Sequence, residues 1–186
     1  MKEKIQTMNT LISATVKEIR ESEQKISQST SIINYTEREK WIIATYRDKE
    51  TLLKIFNPDT QKEFCTAKNH ERCIMGKAPQ ILEVIKVFGK ETAQAWLSIQ
   101  LFNLSEYLGA KEKLGRSQIE FLTEMLLDQY PYFKITDFML AITMIKMGRF
   151  GKMFGAVDPA TIAEAFDQYW NYRADLRYDV NKRIER

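Results

Sequence analysis

Histidine is nearly missing from this chain: His70 is the one example in 186 residues. Nucleophilic catalysis of the Ser-His-Asp or Cys-His kind needs a histidine base held by a third group, and His70 lies in the stretch with the least periodicity. Cysteine is scarce as well. The two present, Cys65 and Cys73, do not make a disulfide framework. Seven glycines and four prolines are too few for a turn-rich β fold. No apolar run reaches the roughly 18 residues a bilayer span requires, and the N-terminus MKEKIQTMNT is polar, without a signal-peptide core. No H-E-x-x-H, Walker A or dinucleotide fingerprint occurs. These absences lead to the expectation of a non-enzymatic protein without a cofactor, in the cytoplasm and off the membrane. The net charge of +3 is too small to mean nucleic acid by itself, so only local clustering of cations carries that argument.

What is present is helical grammar, and the fold class it predicts is all-α: a helical bundle with a long N-terminal helical arm. The expected organisation is an arm over 1–56, a connecting segment over 57–78 and a bundle over 79–186. In the arm, Ile5, Ile12, Ile19, Ile26 and Ile33 recur every seven residues, as an a-type coiled-coil row does. The matching d row, Met8, Thr15, Ser22 and Ser29, is mostly polar. The row is therefore a candidate for self-association into a homo-oligomer, and equally the buried stripe of a helix packed on its own domain. Thr36 and Glu39 have capping-box spacing ahead of Trp41, Ile42 and Ile43, which predicts a new helix running, with a break, to Phe56.

From Pro79 onward the punctuation is regular. Pro79 suits a first helical position and Gly89 a C-terminal cap. A second helix is expected over about 91–108, closed by Gly109. Ser117 and Glu120 form another candidate capping box, and Pro131 stops that helix. Thr136 is placed to cap the next, whose body FMLAITMIKM is apolar nearly all round and so belongs in the core. Gly148 ends it, and Asp158-Pro159 starts the last helix.

Three constellations are candidates for chemistry. Cys65, His70 and Cys73 have zinc-ligand chemistry at C-x4-H-x2-C, but a structural zinc site takes four ligands. The plain alternative is two reduced cysteines and a surface histidine. The stretch KMGRFGKMFGAVDP, 146–159, places Lys146, Arg149 and Lys152 around a glycine turn with Phe150, close to a helix N-terminus whose free N–H groups suit an anion. Cation plus ring is what a nucleic-acid contact uses; the alternative is a capped turn with solvated cations. Arg173 and Arg177 lie one turn apart on the last helix and extend the candidate basic surface, although Asp175 and Asp179 interleave with the cations there.

Residues 72–186 carry a further pattern. Tyr130, Phe133, Lys134, Ile135 and Asp137 are followed by Gly148 to Gly151, Lys152, Phe154, Gly155, Asp158 and Pro159, then by Tyr172 and Arg173. This resembles a family of small, uncharacterised helical proteins encoded by bacterial phages and integrative mobile elements, over about three fifths of the chain. The resemblance implies a mobile-element setting in a bacterial host cell without an assigned activity. Its helical layout is loosely similar to phage helicase loaders and replisome organisers, which also place a Tyr-Pro bend between helices. The expected function is an accessory role in phage or mobile-element DNA metabolism, as a helicase-loader-like or DNA-binding adaptor, with DNA and a phage or host protein as partners. The alternatives are a self-assembling interaction protein and an inhibitor of a host defence protein.

Overall fold

The computed structural model describes residues 34–64, 69–109, 111–151 and 157–185. The isoleucine row from Ile5 to Ile33, together with Cys65 and Lys152, lies outside them. The chain divides into two compact units, Met1–Trp41 and Ile42–Arg186. The described residues are helical with no β-strand among them, so the fold is all-α.

In the first unit, Thr36 and Glu39 close the expected capping box. The Thr36 N–H donates to Glu39 Oε2 at 2.7 Å and the Glu39 N–H to Thr36 Oγ1 at 3.2 Å. This starts α1, Glu37–Tyr46. The predicted break falls within the second unit, at Arg47, whose φ is 61°, and there Asp48 caps α2, Lys49–Ile55, by accepting from the Thr51 N–H at 2.7 Å.

In the second unit, the stretch 57–78 was expected to be a connection, yet it contributes to the interior. It holds a 3-10 turn Pro58–Thr60, α3 Gln61–Phe64 and α4 His70–Met75. From this stretch Cys73 and Ile74 are buried with the bundle core, beside Leu52 and Phe56 from just before it. These helices are too short to show a period in sequence, which is why the stretch reads as irregular.

The remaining helices are α5 Ile81–Phe88, α6 Lys90–Leu108, α7 Arg116–Gln129, α8 Ile135–Lys146 and α9 Pro159–Ile184. Helix α8 is the central one, with ten of its twelve residues buried, as its all-round apolar sequence requires. Around it pack α3, α4, α6 and α9. Gly89 has φ 91° and serves both as the C-cap of α5 and the N-cap of α6, a conformation an L side chain rarely adopts.

Three expected helix starts move. Helix α5 begins two residues after Pro79, capped at Gln80, whose N–H donates to Glu83 Oε2. Helix α7 is capped at Gly115, whose N–H donates to Gln118 Oε1; Glu120, the expected capping partner of Ser117, pairs with Arg116 instead. Helix α8 is capped at Lys134, whose N–H donates to Asp137 Oδ2 at 3.0 Å, while the Thr136 hydroxyl donates to the Cys73 carbonyl. In each case the acceptor is an acid or amide at the third helical position. This is the half of the capping box that needs no hydroxyl at the cap, and Gln80, Gly115 and Lys134 therefore escape a search for Ser or Thr.

The Tyr-Pro bend, 130–134, is knit to the start of α5 by backbone bonds. The Ile81 N–H donates to Phe133 O, the Leu82 N–H to Pro131 O and the Ile135 N–H to Pro79 O, all at 2.8–2.9 Å. That ladder fixes the aromatic residues of the bend against the bundle.

Candidate functional site

The glycine stretch resolves first into a helix ending. Gly148 has φ 71°; its N–H donates to Ile145 O at 2.9 Å, and the Arg149 N–H donates to Met144 O at 3.0 Å. This pair of bonds is a Schellman motif, which satisfies the last carbonyls of α8 and needs a left-handed residue where Gly148 stands. At the far end, Asp158 accepts from the N–H groups of Ala160 and Thr161 and from Thr161 Oγ1. The N-terminus of α9, expected to be open to an anion, is thus already met by the carboxylate of Asp158. Those bonds also hold Asp158 below the usual carboxylate range.

The candidate cations have separate surroundings. Lys146 donates to Gln61 Oε1 at 2.8 Å and Asn103 Oδ1 at 2.6 Å, and sits 5.1 Å from the Tyr107 ring centre. Gln61 in turn donates to Gln100, and Gln100 and Trp96 both donate to Phe56 O. Lys146 therefore closes an internal polar chain that ties α3 and α6 to α8. Arg173 is buried. Its Nε donates to Asp137 Oδ1 at 3.1 Å, and its guanidinium lies 4.8 Å from the Phe133 ring centre. Phe150 is half-buried and packs on the core. Arg149 is exposed, and Arg177 is half-buried. Tyr172 and Arg177 are five residues apart, which on an α-helix places them on different flanks of α9. The sequence grouped these cations as one surface, whereas the helices distribute them.

Arg149 stands beside a pair of residues far apart in the sequence. His70 Nδ1 and the Tyr172 hydroxyl are 2.6 Å apart, with the rings edge to face at 5.9 Å between centres. Burial, followed by the nearby Arg149 charge, holds His70 below its ordinary value of 6.5. Burial also raises Tyr172, with Arg149 pulling against it. Next to this pair, Arg183 bonds Glu71 at 2.7 Å across α9 and α4. Because native His70 titrates below the unfolded chain's imidazole, the unfolded chain takes up the proton first. Stability is therefore full above pH 6.5 and falls as pH drops from there toward the lowered native value. Urea melts on either side of pH 6.5 are expected to show that loss, and His70→Gln to diminish it.

His70 thus has a hydrogen-bonding partner in Tyr172, while Cys65, the first of the zinc candidates, lies outside the described residues. Cys73, three residues on, is buried in the core. Among the described residues no group of three or more His, Cys, Asp or Glu side chains is arranged to hold a metal.

Of the residues with the densest polar connections, only Arg173 is a site candidate in the sequence. Asp137 is 0% exposed and accepts from three donors: the Lys134 N–H, the Tyr169 hydroxyl at 2.9 Å and Arg173 Nε. Burial pushes its carboxyl up, and Arg173 is the strongest of the groups drawing it back. Burial and the Asp137 charge together raise Tyr169 well above the usual phenol value. Lys134 donates its Nζ to Ile74 O and Gly76 O, the terminal carbonyls of α4. Around this network runs an aromatic cluster. Phe133 stacks with Tyr130 at 4.7 Å and with Trp170 at 5.6 Å, the latter at an interplanar angle of 14°. Phe138 and Tyr169 meet Phe133 edge to face. The signal that finds Asp137 is its acid three residues past a helix cap, together with an Arg and a Tyr on a later helix; only the fold brings the two together.

A protein-family model described as a family of unknown function (DUF6633) matches residues 113–184. That stretch takes in α7, α8, the Schellman turn and α9, and so all of the Lys134–Asp137–Tyr169–Arg173 network except the α4 carbonyls. No curated protein matches, and no solved structure matches. Among the described residues no helix is long and apolar enough to cross a membrane.

Proposed function

We propose that the chain is a non-enzymatic accessory protein of phage or mobile-element DNA metabolism, a helicase-loader-like or DNA-binding adaptor that works in the bacterial cytoplasm by contacting DNA. The observation that carries this reading is Arg149. It is exposed, it has no carboxylate partner among the described residues, and its backbone is fixed by the Schellman bonds that follow α8. A guanidinium held in that way is well suited to a phosphate. The interior polar groups support a scaffold rather than a reaction centre, since Asp137, Arg173, Tyr169 and Lys146 are engaged with one another or with neighbouring helices. A protein partner is the second reading, favoured by the large exposed apolar side chains Phe121, Met147 and Ile184. It covers self-assembly and inhibition of a host defence protein.

Fluorescence anisotropy with single- and double-stranded DNA across a salt series separates the two. DNA affinity is expected to fall with salt, and Arg149→Ala to make the slope of log affinity against log salt smaller by about one. If neither form of DNA binds at low salt, the DNA reading fails and the protein-partner reading takes its place.

A further inference from the structure

The aromatic cluster reaches the surface at Trp170. Its indole is 46% exposed while one face lies nearly parallel to the buried ring of Phe133 and a second contact is made to Tyr130 at 5.9 Å. An exposed tryptophan ordinarily turns freely; this one is held by its stack on Phe133 while much of its surface stays open to solvent. Tyr132, in the bend that carries Phe133, is also exposed. Two turns along α9 from Trp170 is Arg177, and a separation of seven residues returns to nearly the same helix flank. Arg177 has no ion pair among the described residues. The nearby acid Asp167 is engaged, accepting from the Tyr130 hydroxyl and from Gln129 Nε2.

We infer that Trp170 is a stacking platform for an unpaired base of single-stranded nucleic acid, with Arg177 meeting the phosphate backbone alongside. The inference rests on the nucleic-acid reading above and adds the strandedness of the partner. A flat, pre-positioned π-face loses little rotamer freedom when a base covers it. Base-on-ring stacking also tolerates any sequence, because every base presents a π-face, whereas a duplex keeps its bases covered by their neighbours. The cation on the same flank supplies the charge that an apolar protein partner would not require.

The test uses the full chain and a fluorescein-labelled thymidine oligonucleotide, alone and annealed to its complement. Binding is expected to favour the single strand and to quench tryptophan emission. Trp170→Leu keeps apolar cover over Phe133 and removes the indole; it is expected to weaken single-strand binding about tenfold or more. Trp170→Phe, which restores a ring, is expected to recover most of that loss. Arg177→Ala is expected to make the salt slope smaller by about one. Wild-type affinity in Trp170→Leu while Arg149→Ala still reduces the salt slope would overturn the stacking site and leave the DNA reading standing. Preference for the duplex would also overturn it. Absence of all oligonucleotide binding would remove both. Self-association lost in Trp170→Leu would assign the ring to a protein contact instead.

Discussion

Asp137→Ala is expected to lower the unfolding free energy by about 3–5 kcal/mol. The carboxylate is fully buried and serves three donors, one of them a guanidinium that is itself nearly buried. Removing it leaves the Arg173 charge in the core without its counterion and strands the Tyr169 hydroxyl and the cap N–H of α8. A buried charge deprived of its partner costs far more than the intact pair contributes. The double variant Asp137→Leu, Arg173→Met removes both charges and fills the space with apolar atoms. It is therefore expected to be more stable than Asp137→Ala alone, the sign that stranding the charge is the damage. Urea denaturation of the wild type, Asp137→Leu, Arg173→Met and the double closes the cycle, with Asp137→Ala measured beside it. A cost under about 1 kcal/mol for Asp137→Ala would mean that the pair is not what joins α8 to α9.

That coupling explains why the fold was more legible than the site. Helix ends written in glycine and proline read directly: Gly89, Gly109, Gly148 and Asp158-Pro159 each mark a boundary, because backbone geometry at those points restricts the residue that fits. Starts capped through the third helical position were misplaced, since Gln80, Gly115 and Lys134 do not resemble capping residues. Cation clusters misled for a different reason. Adjacent position along the chain does not decide which way a side chain leaves its helix or what awaits it there. Lys146 turns inward to Gln61 and Asn103, which lie 85 and 43 residues away, and Arg173 turns inward to Asp137. Arg149 alone among the described members of that group is left exposed on the surface, just past the Schellman turn that ends α8. The His70–Tyr172 contact joins residues 102 apart and could not be read from local pattern.

Phe133→Ala is expected to cost about 3–5 kcal/mol, and its effects should spread beyond the cavity. The ring is 0% exposed, with Tyr130 and Trp170 stacked on it and Phe138 and Tyr169 edge-on, all within 5.6 Å between centres. It also gives its face to the Arg173 guanidinium at 4.8 Å. Truncation therefore removes packing on several sides and loosens the arginine that Asp137 requires. Two measurements distinguish this from a simple cavity. First, Phe133→Ala and Asp137→Ala should combine to less than the sum of their separate costs, because each already unseats Arg173. Second, Trp170 loses its backing ring, so tryptophan emission should shift to the red in a variant that is still folded. Phe121→Ala, at a side chain 66% exposed, should change stability by no more than about 0.5 kcal/mol and leave emission unmoved. Strict additivity with Asp137→Ala would show that the ring and the ion pair act separately. If Phe133 does join them, the bend at Tyr130–Lys134 has one role: it inserts a single ring that meets both the buried Arg173 charge and the part-exposed indole of Trp170.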